Sequence, residues 1–100
     1  MRLKKILKLS SFNLNTYVIG GPENIEERHL LPSETKSEAL VRFVDIFSSL
    51  GLDVFQLRYK NSSEDDFLKL ANEIVQVLKD TNCKLCINDN VQVVNKLNND

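Results

Sequence analysis

The sequence predicts an α/β protein with parallel strands, and three observations carry that expectation. Short β-prone runs alternate with longer stretches of helical periodicity in the order strand, helix, strand, helix, strand, partial helix. Such alternation fits parallel strands joined by right-handed crossovers. The 100 residues are 42 % hydrophobic and 27 % charged, with only 3 Gly and 2 Pro, an ordinary globular balance. Typical domains run about 100–150 residues, so the chain is one domain at most, with a thin core.

Thirteen Lys+Arg against 14 Asp+Glu leave a formal charge of −1, which excludes a broad electrostatic footprint for nucleic acid. No run approaches the roughly 18 consecutive apolar residues of a membrane span. The first nine residues are basic, but lysines break them too often for the apolar core of a signal peptide. Residues 1–13 are therefore expected to be an N-terminal lead-in, with Leu3, Ile6 and Leu7 on a short amphipathic turn and Lys4, Lys5 and Lys8 outside. The compartment expected is the cytoplasm, with no membrane partner.

The first strand is expected over Leu14–Ile19, where Thr16, Tyr17, Val18 and Ile19 are β-prone and Gly20-Gly21-Pro22 ends the run. Polar residues 23–33 read as a loop, and its histidine, His29, as an ordinary surface residue. From about Glu34 to Leu50, Leu40, Phe43, Val44, Phe47 and Leu50 recur with helical spacing, and Gly51 suits the helix end. Val54–Arg58 is the second strand. Ser62 or Ser63 opens the next helix: Ser63 and Asp66 fit a capping box, and Glu64, Asp65 and Asp66 suit the positive end of the dipole. Phe67, Ala71, Ile74, Val75 and Leu78 form its apolar stripe, to about Lys79. Cys83–Ile87 is the third strand, and Val91–Leu97 begins a further helix.

Cys83 and Cys86 form a C-x-x-C, a spacing used in redox and zinc sites. On a strand, however, positions three apart point to opposite faces, and one pair is half a structural zinc set. Both thiols are read as small, buried and inert.

Two strand ends carry the candidate chemistry. In Val54-Phe55-Gln56-Leu57-Arg58-Tyr59-Lys60, alternation puts Gln56, Arg58 and Lys60 on one face and Phe55, Leu57 and Tyr59 on the other. A strand between two crossover helices usually reads as nearly all apolar, so cations on it need a counter-charge, water or an anionic ligand. Ligands of parallel α/β folds bind beyond the C-terminal strand ends. Arg58 offers a planar fork to phosphate oxygens and Lys60 a point charge; the alternative is a solvated strand end paired with carboxylates. In Ile87-Asn88-Asp89, the amide and carboxylate either cap the next helix or serve a ligand and magnesium. Together, one cationic and one acidic strand end suggest a metal–diphosphate site.

Gln56-Leu57-Arg58-Tyr59-Lys60, the Ser- and acid-rich helix start after it, and Ile87-Asn88-Asp89 resemble the first half of thiamine-phosphate synthase. That family shows Q-[LF]-R-x-K after its second strand and [IV]-N-D after its third, and the resemblance spans about residues 14–97. It implies that residues 1–100 are a partial, truncated TIM (β/α)8 barrel domain, because a whole barrel takes about 200–250 residues. It also implies an enzyme of thiamine biosynthesis that joins 4-amino-2-methyl-5-hydroxymethylpyrimidine diphosphate to a thiazole phosphate and releases diphosphate. By position, Gln56, Arg58, Lys60 and Asn88 would bind the pyrimidine diphosphate and Asp89 would ligate Mg2+, with no side chain acting as nucleophile. Tyr59 stands where the family usually has Glu or Asp, and Gly20-Gly21 where it usually has Thr-Asp.

The G-x-H-[LI]-G-Q strand and the thiazole phosphate loops of that family have no counterpart, so the isolated chain is expected to be an inactive fragment. Two alternatives stand beside this reading. One is a non-catalytic binding or assembly module that self-associates or pairs with a C-terminal half. The other is a thiazole tautomerase-like isomerase of the same fold.

Overall fold

In the computed structural model, the described residues are 2–8 and 13–87, with side chains described from Thr16 to Ile87. Two strands open the chain, β1 (Arg2–Lys8) and β2 (Asn13–Gly20). Two single-turn 3-10 helices follow, Pro22–Asn24 and Glu27–His29. Then come α1 (Lys36–Ser49), β3 (Val54–Leu57), α2 (Glu64–Leu78) and β4 (Lys84–Ile87). The sheet order is β1-β2-β3-β4, with β2, β3 and β4 parallel as the alternation predicts. The expected helix over Val91–Leu97 lies outside the described residues, as do Asn88 and Asp89.

The lead-in departs from expectation. Residues 2–8 are an antiparallel strand on β2, in register from Arg2 with Ile19 to Lys8 with Asn13, rather than an amphipathic turn. The free edge of β2 presents a row of unpaired N–H and C=O groups, and pairing them outweighs the weak local spacing of Leu3, Ile6 and Leu7.

Each α-helix begins on a side-chain cap. Thr35 Oγ1 accepts from the Glu38 N–H at 3.1 Å while Glu38 Oε1 accepts from the Thr35 N–H at 2.9 Å, so α1 starts two residues later than Glu34. Glu34 instead receives the Arg42 guanidinium through two bonds, at 3.0 and 2.9 Å, and Arg42 also donates to the His29 carbonyl at 2.9 Å. That fork ties the 22–35 segment to α1. His29 is half-buried, with its ring edge on Phe43, rather than a plain surface residue. Beyond α1, Gly51 takes φ 100°, a left-handed conformation that favours glycine. For α2 the cap is Ser63, whose Oγ accepts from the Asp66 N–H at 3.1 Å. Ser62 donates to the Tyr59 carbonyl at 3.2 Å instead.

The two faces of the parallel strands differ. Phe55 and Leu57 are fully buried in one core with Leu40 and Val44 of α1 and Ile74 of α2. Leu85 and Ile87 pack against that core from β4. Residues of the opposite parity, Tyr17, Ile19, Val54 and Gln56, are half-buried, and Lys84 and Cys86 are exposed. Thus α1 and α2 seal one face, and among the described residues no helix covers the other.

At the N-terminal strand ends, Asp53 joins all three parallel strands. Its carboxylate accepts from the Thr16 N–H at 2.8 Å, its own N–H donates to Thr16 Oγ1 at 3.2 Å, and its carbonyl accepts from the Lys84 N–H at 2.9 Å. None of the described helices is long and apolar enough to cross a membrane.

Candidate ligand site at the strand ends

Gln56 sits on the open face, in register with Ile19 of β2 and Cys86 of β4. Its side-chain oxygen accepts from the phenol of Tyr17, which rises from two pairs lower on β2, opposite Val54. Burial, and next the Cys86 thiol beside it, push the Tyr17 phenol above its usual pKa. The open face therefore presents an amide, a phenol and a thiol together, in a frame of Ile19 and Val54.

The ladder stops at Leu57, one residue before the expected strand end. Arg58 still donates its N–H to the Gly20 carbonyl at 3.0 Å, which fixes its backbone against the end of β2. Gly21 is what permits that approach: a Cβ there would lie 2.0 Å from the Arg58 carbonyl oxygen. Its φ of −155° is ordinary extended backbone, so lack of room excludes a side chain, and backbone conformation does not.

Tyr59 packs against Phe67 of α2, ring centroids 6.0 Å apart, so Leu57 and Tyr59 both turn toward the helices. Arg58 lies between them, one residue past the end of β3. Arg58 and Lys60 are exposed, and among the described residues neither side chain is in an ion pair. Asn61, at φ 59°, turns the chain sharply from this strand end toward the cap of α2. The structure thus places Gln56 on the open face of β3, Arg58 just past the strand end and Lys60 at the following turn. Asn88 and Asp89 fall outside the described residues.

Several features here had no signal in the sequence. The Tyr17–Gln56 bond depends on strand register. Glu23 accepts from the Lys60 N–H at 3.5 Å, a weak contact across 37 positions. A cleft of about 490 Å3 opens between α1 and α2, lined by Thr35, Glu38, Tyr59, Asp66, Lys69 and Glu73 among others, on the helix side of the sheet and away from Gln56 and Arg58.

The cysteine reading needs correction at one position. Cys83 is buried, and burial raises its thiol pKa, as suits an inert group. Cys86 is exposed, because β4 turns it to the open face, which none of the described helices covers. Among the described residues no group of three His, Cys, Asp or Glu side chains is placed to hold a metal.

Three parallel strands, two helices on one face, and two strand-end cations with no ion-pair partner among the described residues define an α/β protein with an exposed basic strand end. The family model described as thiamine monophosphate synthase matches residues 28–100, and the chain belongs to that family. Membership supports a transferase of the thiamine-phosphate synthase type, in thiamine biosynthesis, as its general function. Comparison with curated proteins and with solved structures gives no match.

Proposed function

We propose that this chain supplies the pyrimidine diphosphate site of a thiamine-phosphate synthase, on the first strands of a (β/α)8 barrel. The observation that carries the reading is the pair Arg58 and Lys60, exposed and without an ion-pair partner among the described residues, at the C-terminal end of β3 beside the open face. A diphosphate leaving group gathers negative charge as its bond to the pyrimidine methylene breaks, and fixed cations stabilise that charge. Gln56 would meet the ring and Arg58 and Lys60 the phosphoryl oxygens, with Asn88 as a further contact to the same substrate. The thiazole nitrogen is the nucleophile in this reading, so the residues position and neutralise rather than attack.

Magnesium fits the donor chemistry in one place. Asp89 offers the hard oxygen that Mg2+ prefers, with phosphate oxygens as its remaining ligands, whereas the Cys86 thiol is a soft donor. Bound there, the ion would add positive charge at the leaving diphosphate. The cationic pair also favours a synthase over a tautomerase-like isomerase, which has no diphosphate to neutralise.

The test is calorimetry of the purified chain with magnesium pyrophosphate, together with assay of thiamine phosphate formation. Binding that Arg58→Ala weakens at least about ten-fold supports the site; an unaffected affinity refutes it. We expect little or no turnover from these 100 residues alone, and robust turnover would overturn that part. A second reading, an assembly module that pairs with another copy or a C-terminal half, is favoured by apolar Ile19 and Val54 on the uncovered face. Light scattering separates the two, since a compact monomer counts against assembly.

A further inference from the structure

We infer that Tyr17 is a positioning residue that makes Gln56 a one-way donor toward the ligand's ring. The inference rests on the pyrimidine diphosphate reading above and extends it to how the ring is told from others. A glutamine amide accepts on one side and donates on the other, and turning it over exchanges the two. The neighbours of Gln56 across the strands are Ile19, which has no hydrogen-bonding group, and Cys86, whose thiol is a weak one. The group that sets the amide among the described residues is therefore the Tyr17 phenol, which donates to Oε1. With the oxygen held, Nε2 is left to face an incoming molecule. An aminopyrimidine ring carries nitrogen acceptors that match such a donor, and a plain carbocycle carries none. A site with a fixed donor rejects a ring without an acceptor because the donor is then left unpaired.

Arg58 and Lys60 act on the phosphates, away from this contact, so Tyr17 should govern ring preference and leave phosphate affinity alone. Calorimetry on the 100-residue chain with Mg2+ uses three probes: 4-amino-2-methyl-5-hydroxymethylpyrimidine diphosphate, benzyl diphosphate and inorganic pyrophosphate. Wild type is expected to prefer the pyrimidine over the benzyl compound by about ten-fold. Tyr17→Phe should bring that preference close to parity while pyrophosphate affinity stays within about two-fold.

A Tyr17→Phe chain that keeps the preference overturns the inference, as does one that loses all three probes in proportion, which marks a purely structural role. Wild type that binds pyrophosphate yet shows no ring preference overturns this inference alone. Wild type that binds none of the probes overturns the parent reading and this one with it. A measurement on wild type does not depend on how the variant folds: the side-chain NH2 resonances of Gln56 should move with the pyrimidine compound and stay with the benzyl one. Equal movement with both refutes the fixed donor.

Discussion

The two faces of the parallel sheet are made from the same strands, residue by residue, and they have opposite jobs. On β3, Phe55 and Leu57 are fully buried against α1 and α2, while the alternate residues Val54 and Gln56 are half-buried on the side that none of the described helices covers. The helix side is held by apolar contact, so its residues answer to volume. The open side carries a phenol, an amide, a thiol and, past the strand end, cations, so its residues answer to hydrogen bonding and charge. Apolar burial and accessible polar groups are thus divided by strand parity, and substitutions can test whether stability and the proposed ligand binding divide the same way.

The largest effect should come from the sealed face. Phe55→Ala leaves a cavity beneath both helices and should cost about 3–5 kcal/mol in urea unfolding; a loss below about 1 kcal/mol would deny that this face holds the fold. Gly21→Ala comes next, since its methyl group must move the Arg58 carbonyl, and a cost of about 1–3 kcal/mol is expected. Because the Arg58 backbone moves too, the same variant should weaken pyrophosphate binding, which Phe55→Ala does only by unfolding the chain. Thr35→Ala removes the cap of α1 and should cost about 1 kcal/mol, with no change in pyrophosphate affinity.

The smallest stability effects belong to the open side. Lys60→Ala should shift unfolding by no more than about 0.5 kcal/mol yet reduce pyrophosphate affinity several-fold, the reverse of the Phe55 result. A weak pH signal belongs to Glu34, whose carboxyl is held below the usual range by the Arg42 guanidinium and next by the Leu31 N–H. A lowered folded-state pKa gives stability that is present above the unfolded-state value and lost as pH falls through the folded-state one. Glu34→Gln should therefore flatten the acid limb of a thermal-melt series and leave the neutral region parallel to wild type.

How much of this was legible depends on whether a feature is local. The strand–helix rhythm, the Ser63 cap, the end of α1 at Gly51 and the parity of Gln56 against Leu57 follow from spacing within a few residues. The antiparallel strand at residues 2–8 was missed because its partner, rather than its own pattern, makes it a strand. Glu34 reads as helix because it adjoins a periodic stretch, but its two bonds to Arg42 hold it outside. Cys86 looked like Cys83 because a sequence cannot say which face of a strand lacks a helix. The bond from Tyr17 to Gln56 has no signal in the sequence for a related reason, since it spans 39 positions and exists only once β2 and β3 are in register. The motif over 56–60 marks the parity of Gln56, and the structure adds the Tyr17 phenol that bonds its side-chain oxygen.

Asp53 gives the strands a common origin far from the proposed substrate. Because β2 and β4 are both fastened to it, slippage of one rung would break contacts to both neighbours at once, and the lateral alignment of everything above is inherited from that knot. Evolution could therefore rewrite the opposite rim, loop by loop, without renegotiating how the strands line up.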